Sequence, residues 1–129
     1  MTFKEISINE LSINPVTLFS DGWAILTAGN KDNYNGMTVS WGAIGEIWSK
    51  PSVFVFVRPQ RYTHDFCESS EFFTVSCFNG KNREELSFFG KKSGRDYDKA
   101  KETGLTPMEI DGSVSFEESE IGPSLSLIP

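Results

Sequence analysis

The sequence predicts a mainly β fold with short α insertions, closed as a β-barrel rather than wound from alternating strands and helices. Three observations carry that expectation. Short runs rich in β-branched and aromatic residues recur along the chain, each bounded by Gly, Pro, Asn or Asp. The helical patterns between them are brief and irregular, unlike the regular alternation of a parallel sheet. The 129 residues, 38% of them hydrophobic with eleven Phe, three Trp and three Tyr, suffice for one core without a disulfide.

In chain order, residues 1–22 read as a lead-in punctuated by Pro15 and Asp21-Gly22. Trp23–Ala28 (WAILTA) is a short apolar run between glycines, which suits a buried strand. Gly29–Gly36 (GNKDNYNG) reads as a polar loop, and Met37–Trp41 (MTVSW) as a second strand. Two glycines in Gly42–Ser49 argue against a regular helix there. After Pro51, Ser52–Val57 (SVFVFV) gives the strongest strand pattern of the chain. Arg58-Pro59-Gln60-Arg61 is a turn, and Thr63 is the expected N-cap of a helix from His64 to about Ser69. Glu71–Cys77 is strand-like, and Asn79-Gly80 turns the chain into a helix over Lys81–Phe89. Leu86 and Phe89 would share its buried face, with Gly90 ending it. Asp96 is placed to cap a helix through Thr103, stopped by Gly104 and Pro107, and Ile110–Phe116 reads as one more strand. A single domain over 1–129 is expected, with an atypical end over 118–129.

Net charge is −6, unevenly placed. Residues 1–101 carry all twelve Lys and Arg and twelve acids, whereas residues 102–129 carry six acids and no base. The acidic total argues against a nucleic-acid partner, yet the neutral body has room for a local cationic pocket. The longest apolar stretch, around Val53–Val57, is too short to span a membrane, and no signal peptide pattern opens the chain. A cytoplasmic protein without a membrane association is the expectation. Cys67 and Cys77 form no CxxC and read as core thiols, and with His64 as the one histidine no metal site is expected.

Three segments carry possible chemistry. Arg58-Pro59-Gln60-Arg61-Tyr62-Thr63 joins a strong strand to a helix start, where free N–H groups, two guanidiniums and hydroxyls suit a phosphate. Two surface arginines and an ordinary cap are the alternative. Lys91-Lys92-Ser93-Gly94-Arg95 could close over the same anion or remain a solvated basic loop. In Asn35–Gly42 (NGMTVSWG), alternation puts Thr38 and Ser40 on one strand face. A flat heteroaromatic ligand could lie on that face, or the segment could be core with buried hydroxyls. Neither a P-loop nor a dinucleotide glycine fingerprint occurs.

Together, NGMTVSWGAIGEIWSKPSVFVFVRPQRYTHDF (35–66) and LSFFGKKSGRDYDKAKETGLTP (86–107) resemble the flavin reductase-like family, in the right order and spacing. The likeness extends from about residue 13 to residue 118. It implies a split β-barrel of the FMN-binding type, usually a homodimer, with non-covalent FMN. It also implies hydride transfer from NADH or NADPH to flavin. Carried over, Thr38, Val39, Ser40 and Trp41 would line the isoalloxazine ring, and Arg58, Arg61, Tyr62 and Thr63 would hold the phosphate. Lys92 and Ser93 would lie near that end. The chain departs from the family after Glu117-Glu118: residues 122–129 do not look like the expected further strands, and the C-terminal part reads as truncated. Two alternatives to a reductase follow, a non-catalytic split barrel binding flavin or another phosphate ligand, and a remnant with an empty site.

Overall fold

The computed structural model describes residue 10 and residues 12–110, 112–120 and 124–126. Helix α1 (Pro15–Ser20) leads into strands β1 (Ala24–Asn30), β2 (Asn33–Val39), β3 (Gly42–Ile47) and β4 (Lys50–Val55). Helix α2 (Tyr62–Ser69), strand β5 (Phe72–Cys77), and helices α3 (Arg83–Lys91) and α4 (Lys99–Thr103) follow. Strands β6 (Pro107–Ile110), β7 (Ser113–Phe116) and β8 (Ser124–Ser126) complete the order. The fold is mainly β with short helices, as the residue pattern predicts. Among the described residues, no helix is long and apolar enough to cross a membrane.

A four-stranded sheet, ordered β2-β1-β5-β8, forms the centre, and the hairpins β3–β4 and β6–β7 pack around it. Both faces of the central sheet are covered. On one side Leu26, Met37, Val39, Val75 and Cys77 meet Leu18 and Phe19 of α1 and the inward Val53 and Val55 of β4. On the other, Ile25 meets Leu86 and Phe89 of α3, Ala100 of α4 and Phe116 of β7. Phe89 and Phe116 pack edge to face, their centroids 5.5 Å apart. A strand buried on both faces has no need to alternate, which explains why the buried residues of β1 are apolar on both faces apart from Thr27. The β7 hairpin strand is tied to β5 by side chains as well: Thr74 donates to the Val114 carbonyl, and the Ser76 and Ser115 hydroxyls lie 2.7 Å apart.

Five local expectations change. The lead-in contains α1, for which Pro15 at the first turn is a start signal: it has no N–H to leave unpaired, and Asn14 Oδ1 accepts from Val16 N at 3.0 Å. The polar stretch 29–36 is mostly strand, because Asn30 Oδ1 accepts from Asp32 N and Asn33 N and closes a tight hairpin turn. The run Ile110–Phe116 divides into the β6–β7 hairpin. Gly90 lies inside α3 rather than ending it, and Lys92 is the C-cap. Asp98, not Asp96, caps α4 by accepting from Lys101 N.

Within the atypical end, Ser124–Ser126 pairs antiparallel with β5, so part of this stretch is a strand. Residues 122, 123 and 127–129, also part of that departure, lie outside the described residues. The acids nearby are engaged within the chain. The Glu118 carboxylate accepts from Thr106 N at 2.9 Å and Thr106 Oγ1 at 2.8 Å, and Glu120 pairs with Lys81.

Candidate functional site

The turn after β4, the start of α2, the end of α3 and the loop to α4 meet over Asn35 of β2. Here the chain forms a pocket of about 290 Å³. Arg58, Arg61, Lys91, Lys92, Arg95 and Lys99 line it, and no carboxylate does. Half of the twelve basic residues thus converge on one concavity from three separate segments. A surface with interspersed charges would not give this arrangement.

Each wall has a local cause. The Arg61 N–H donates to the Arg58 carbonyl at 3.0 Å and His64 N to the Arg61 carbonyl at 3.0 Å, so the arginine turn winds directly into α2. Arg61 occupies the N-cap and makes no side-chain cap bond, which leaves the first turn without a protein cap. Thr63, the expected cap, lies inside the helix and is fully buried; its Oγ1 accepts from Asn35 Nδ2 at 2.7 Å. This bond fastens the helix start to β2. Across the pocket, Asp96 N and Tyr97 N donate to the Ser93 carbonyl and Arg95 N to Ser93 Oγ, all at 3.1 Å, folding the basic loop into a turn. The Arg95 guanidinium lies 4.7 Å from the Tyr62 ring centre and 3.5 Å from the Asp65 carboxylate. Gly94 must be glycine for space: a Cβ there would come 2.0 Å from Asn35 Oδ1.

Lys99 is the pocket's buried cation, only 5% exposed. Its Nζ donates at 2.8 Å to the Gly36 carbonyl of β2 and at 2.8 Å to the Phe89 carbonyl near the end of α3. Burial, and then the charge of Arg61, pull its pKa down to about 8. Arg61 is likewise held below its ordinary value by burial and then by Arg58. Cations crowded in this way, each lowering its neighbour's proton affinity, are relieved by an anion. Guanidiniums, ammoniums, a helix start and small loop residues are a donor set that fits a phosphate or a similar multiply charged group.

The structure brings Arg58, Arg61, Tyr62, Thr63, Lys92 and Ser93 together in this pocket. Thr38, Val39, Ser40 and Trp41 are not part of its lining. Thr38 lies just behind it: its hydroxyl donates to the Leu86 carbonyl, and a Cβ on Gly90 would stand 3.3 Å from Thr38 Cβ. Val39 points into the core, Ser40 is half-buried, and Trp41 is 73% exposed. Sequence reasoning passed over Asn35 and Lys99 as site residues. Asn35 opens the third motif and Lys99 closes the second, but nothing in DYDKAKE separates Lys99 from the solvated Lys101. The thiols read as core lie where expected: Cys77 is buried and Cys67 half-buried, and burial pushes them up to about 12 and about 11. Among the described residues no group of His, Cys, Asp and Glu is arranged to hold a metal ion.

Comparison with known proteins agrees with this architecture. The sequence profile of the Flavin reductase like domain matches residues 16–121. No curated protein sequence gives a significant match. Among solved structures, an FMN-binding domain of a flavin reductases-like enzyme from Shewanella baltica OS155 superposes with a TM-score of 0.75 at 17% identity, over 91% of this chain and 64% of that one. Flavoredoxin of Desulfovibrio vulgaris (Miyazaki F) gives 0.76 at 22% identity, over 98% and 68%. A protein with a split barrel domain from Shewanella frigidimarina NCIMB 400 gives 0.72 at 20% identity, over 100% and 69%. The chain thus spans about two thirds of the length of these structures, and the fold it shares with them is the split barrel. With 106 consecutive residues matched, from 16 to 121, the chain belongs to the flavin reductase like domain family.

Proposed function

We propose that the chain binds FMN, with the phosphate in the cationic pocket, and works as an NAD(P)H:flavin oxidoreductase. The observation that carries this reading is the convergence of six cationic side chains, with no carboxylate, at the start of α2. Family membership supports it, as does the description of one similar structure as FMN-binding. In this reading Arg58 and Arg61 make charge-assisted bonds to the phosphate, and main-chain N–H groups of Tyr62 and Thr63 donate from the helix start. Lys92 and Ser93 close the opposite wall. The ring extends from the pocket toward residues 38–41. There Thr38 and Val39 have their side chains committed to α3 and the core, so the contacts come from main chain, from Ser40 and from the exposed Trp41 indole.

The flavin, when bound, supplies the hydride-accepting ring; the protein's part is to orient it and exclude competing reactions. No protein acid or base is required, which accords with a site lined by cations and main chain. A homodimer in the cytoplasm completes the proposal. Its support is the outer face of β3–β4, where Trp41, Phe54 and Phe56 are 73%, 40% and 65% exposed while Val53, Val55 and Val57 pack inward.

The test is the absorbance spectrum of the purified chain after incubation with excess FMN and desalting. Retained visible bands of oxidised flavin agree with the reading, and a colourless protein contradicts it. Oxidation of NADH or NADPH by the loaded protein then separates a reductase from a flavin-binding module without turnover.

A further inference from the structure

We infer that Lys99 is a modification site, acylated by small acyl phosphates that seat their phosphate in the cationic pocket, and that the acylated pocket no longer holds FMN. The inference rests on the proposal that this pocket takes the phosphate of a flavin. Of the three lysines that line it, Lys91 and Lys92 are exposed and Lys99 is buried.

The Lys99 amine is held as a nucleophile needs to be held. An ammonium has three donors, and two of those on Nζ go to the Gly36 and Phe89 carbonyls, each at 2.8 Å. The third has no acceptor among the described residues, and because Lys99 lines the cavity that position is left for a ligand. Loss of the third proton keeps both carbonyl bonds and puts the lone pair in its place. Burial, and then the charge of Arg61, ease that loss by lowering the pKa to about 8. Arg58 and Arg61 line the same cavity of about 290 Å³, so a short acyl group whose phosphate they hold lies beside the amine.

In the step itself, the Nζ lone pair attacks the acyl carbon and forms the C–N bond of an amide. The C–O bond to the phosphate breaks, its electron pair leaves with the phosphate, and the phosphate takes one proton from Nζ. Nothing is oxidised or reduced. The surrounding guanidiniums stabilise the charge that the leaving phosphate gains. The amide keeps a single N–H, so one of the two carbonyls loses its donor. The positive charge is removed and the acyl group takes up space in the cavity. Each change acts against a flavin phosphate.

The test is peptide mass mapping of the full chain treated with acetyl phosphate. A pH of about 8.5 suits it, slightly above the Lys99 pKa, because a bound phosphate favours the ammonium form. We expect Lys99 to be acetylated at least about tenfold faster than Lys101, which is exposed on the same helix and outside the pocket lining. Excess FMN or inorganic phosphate should slow Lys99 and leave the Lys101 rate unchanged. Acetic anhydride, which carries no phosphate, should favour Lys101. The chain acetylated at Lys99 should bind FMN at least about tenfold more weakly. Lys99→Arg, which keeps the charge, should lose no affinity on the same treatment. Lys99 no faster than Lys101, a Lys99 rate insensitive to phosphate, or the same preference with the anhydride overturns the inference. So does FMN affinity unaltered by the modification, or lost equally in Lys99→Arg. In each of these cases FMN binding by the untreated chain leaves the phosphate pocket standing, whereas binding of neither FMN nor inorganic phosphate overturns both. If Lys99→Arg does not fold, the mapping on the unaltered chain decides alone.

Discussion

The pocket at the start of α2 and the outer face of β3–β4 are successive products of one stretch of sequence, yet they are finished differently. In the pocket, polar groups find partners inside the chain: Asn35 on Thr63, Lys99 on two carbonyls, Arg95 on Asp65. On the hairpin, strict alternation sends Val53 and Val55 to the core and Phe54 and Phe56 outward, where no described element covers them. A concave polar site can be completed by one chain. An open apolar face has nothing to gain from water, and in the proposed homodimer a second copy closes it. The proposed ring-binding strand ends at Trp41, on the side of this open face, so in the proposed homodimer the phosphate end is built by one chain and the ring end by two.

The largest expected effect comes from undermining the pocket from behind. Phe89 is fully buried, and its carbonyl holds Lys99. Phe89→Ala should cost roughly 3–5 kcal/mol in denaturant unfolding, the usual range for a buried aromatic. A loss below about 1 kcal/mol would mean that the pocket does not depend on the core beneath it. Next is the phosphate contact itself. Arg61→Ala should weaken FMN by more than about tenfold in a fluorescence titration, since a charge-assisted bond is worth about 1.5–3 kcal/mol. An unchanged dissociation constant would place the anion elsewhere.

A graded effect follows from Lys99, whose pKa in the folded chain is lowered to about 8. A bound dianion favours the ammonium form and raises that pKa, so the complex holds more protons than the free protein above pH 8. Affinity is therefore full from about pH 7, where the phosphate is a dianion, to about pH 8 and falls as pH rises further, by at most about tenfold per pH unit. Lys99→Met should bind more weakly and remove this slope, and a slope that survives the substitution would assign it to another group. The smallest effect on the folded chain is expected at the open face. Phe56→Ser, at a site 65% exposed, should change unfolding free energy by no more than about 0.5 kcal/mol while abolishing self-association in sedimentation. A large loss of monomer stability would show that the face is closed internally.

Much of the fold was legible because burial imposes simple periods. The apolar runs of β1 and β5, the alternation of β4, and the Leu86–Phe89 face of α3 all follow from which side meets the core. The turn chemistry was less legible. Asn30, Asn33 and Asn35 have loop-forming composition, but Asn30 closes a two-residue turn and Asn35 is a buried strand residue. Both arginines and the basic loop were legible as cations suited to an anion, since charge and helix-start chemistry are local, and the structure brings them into one pocket. Lys99 and the Asn35–Thr63 bond were not, because their roles depend on partners 63 and 28 residues away. Thr63 illustrates the limit: as a local signal it reads as a cap, and its buried tertiary hydrogen bond overrides that role.

The most direct test of the phosphate pocket compares FMN with riboflavin, which has the same ring and differs by the phosphate alone. Several charge-assisted bonds predict that FMN binds at least about a hundredfold more tightly at pH 7.5 and low salt. The difference should shrink in Arg61→Ala. Equal affinity for the two flavins would contradict the account, because the six converging cations would then have no part in holding the ligand.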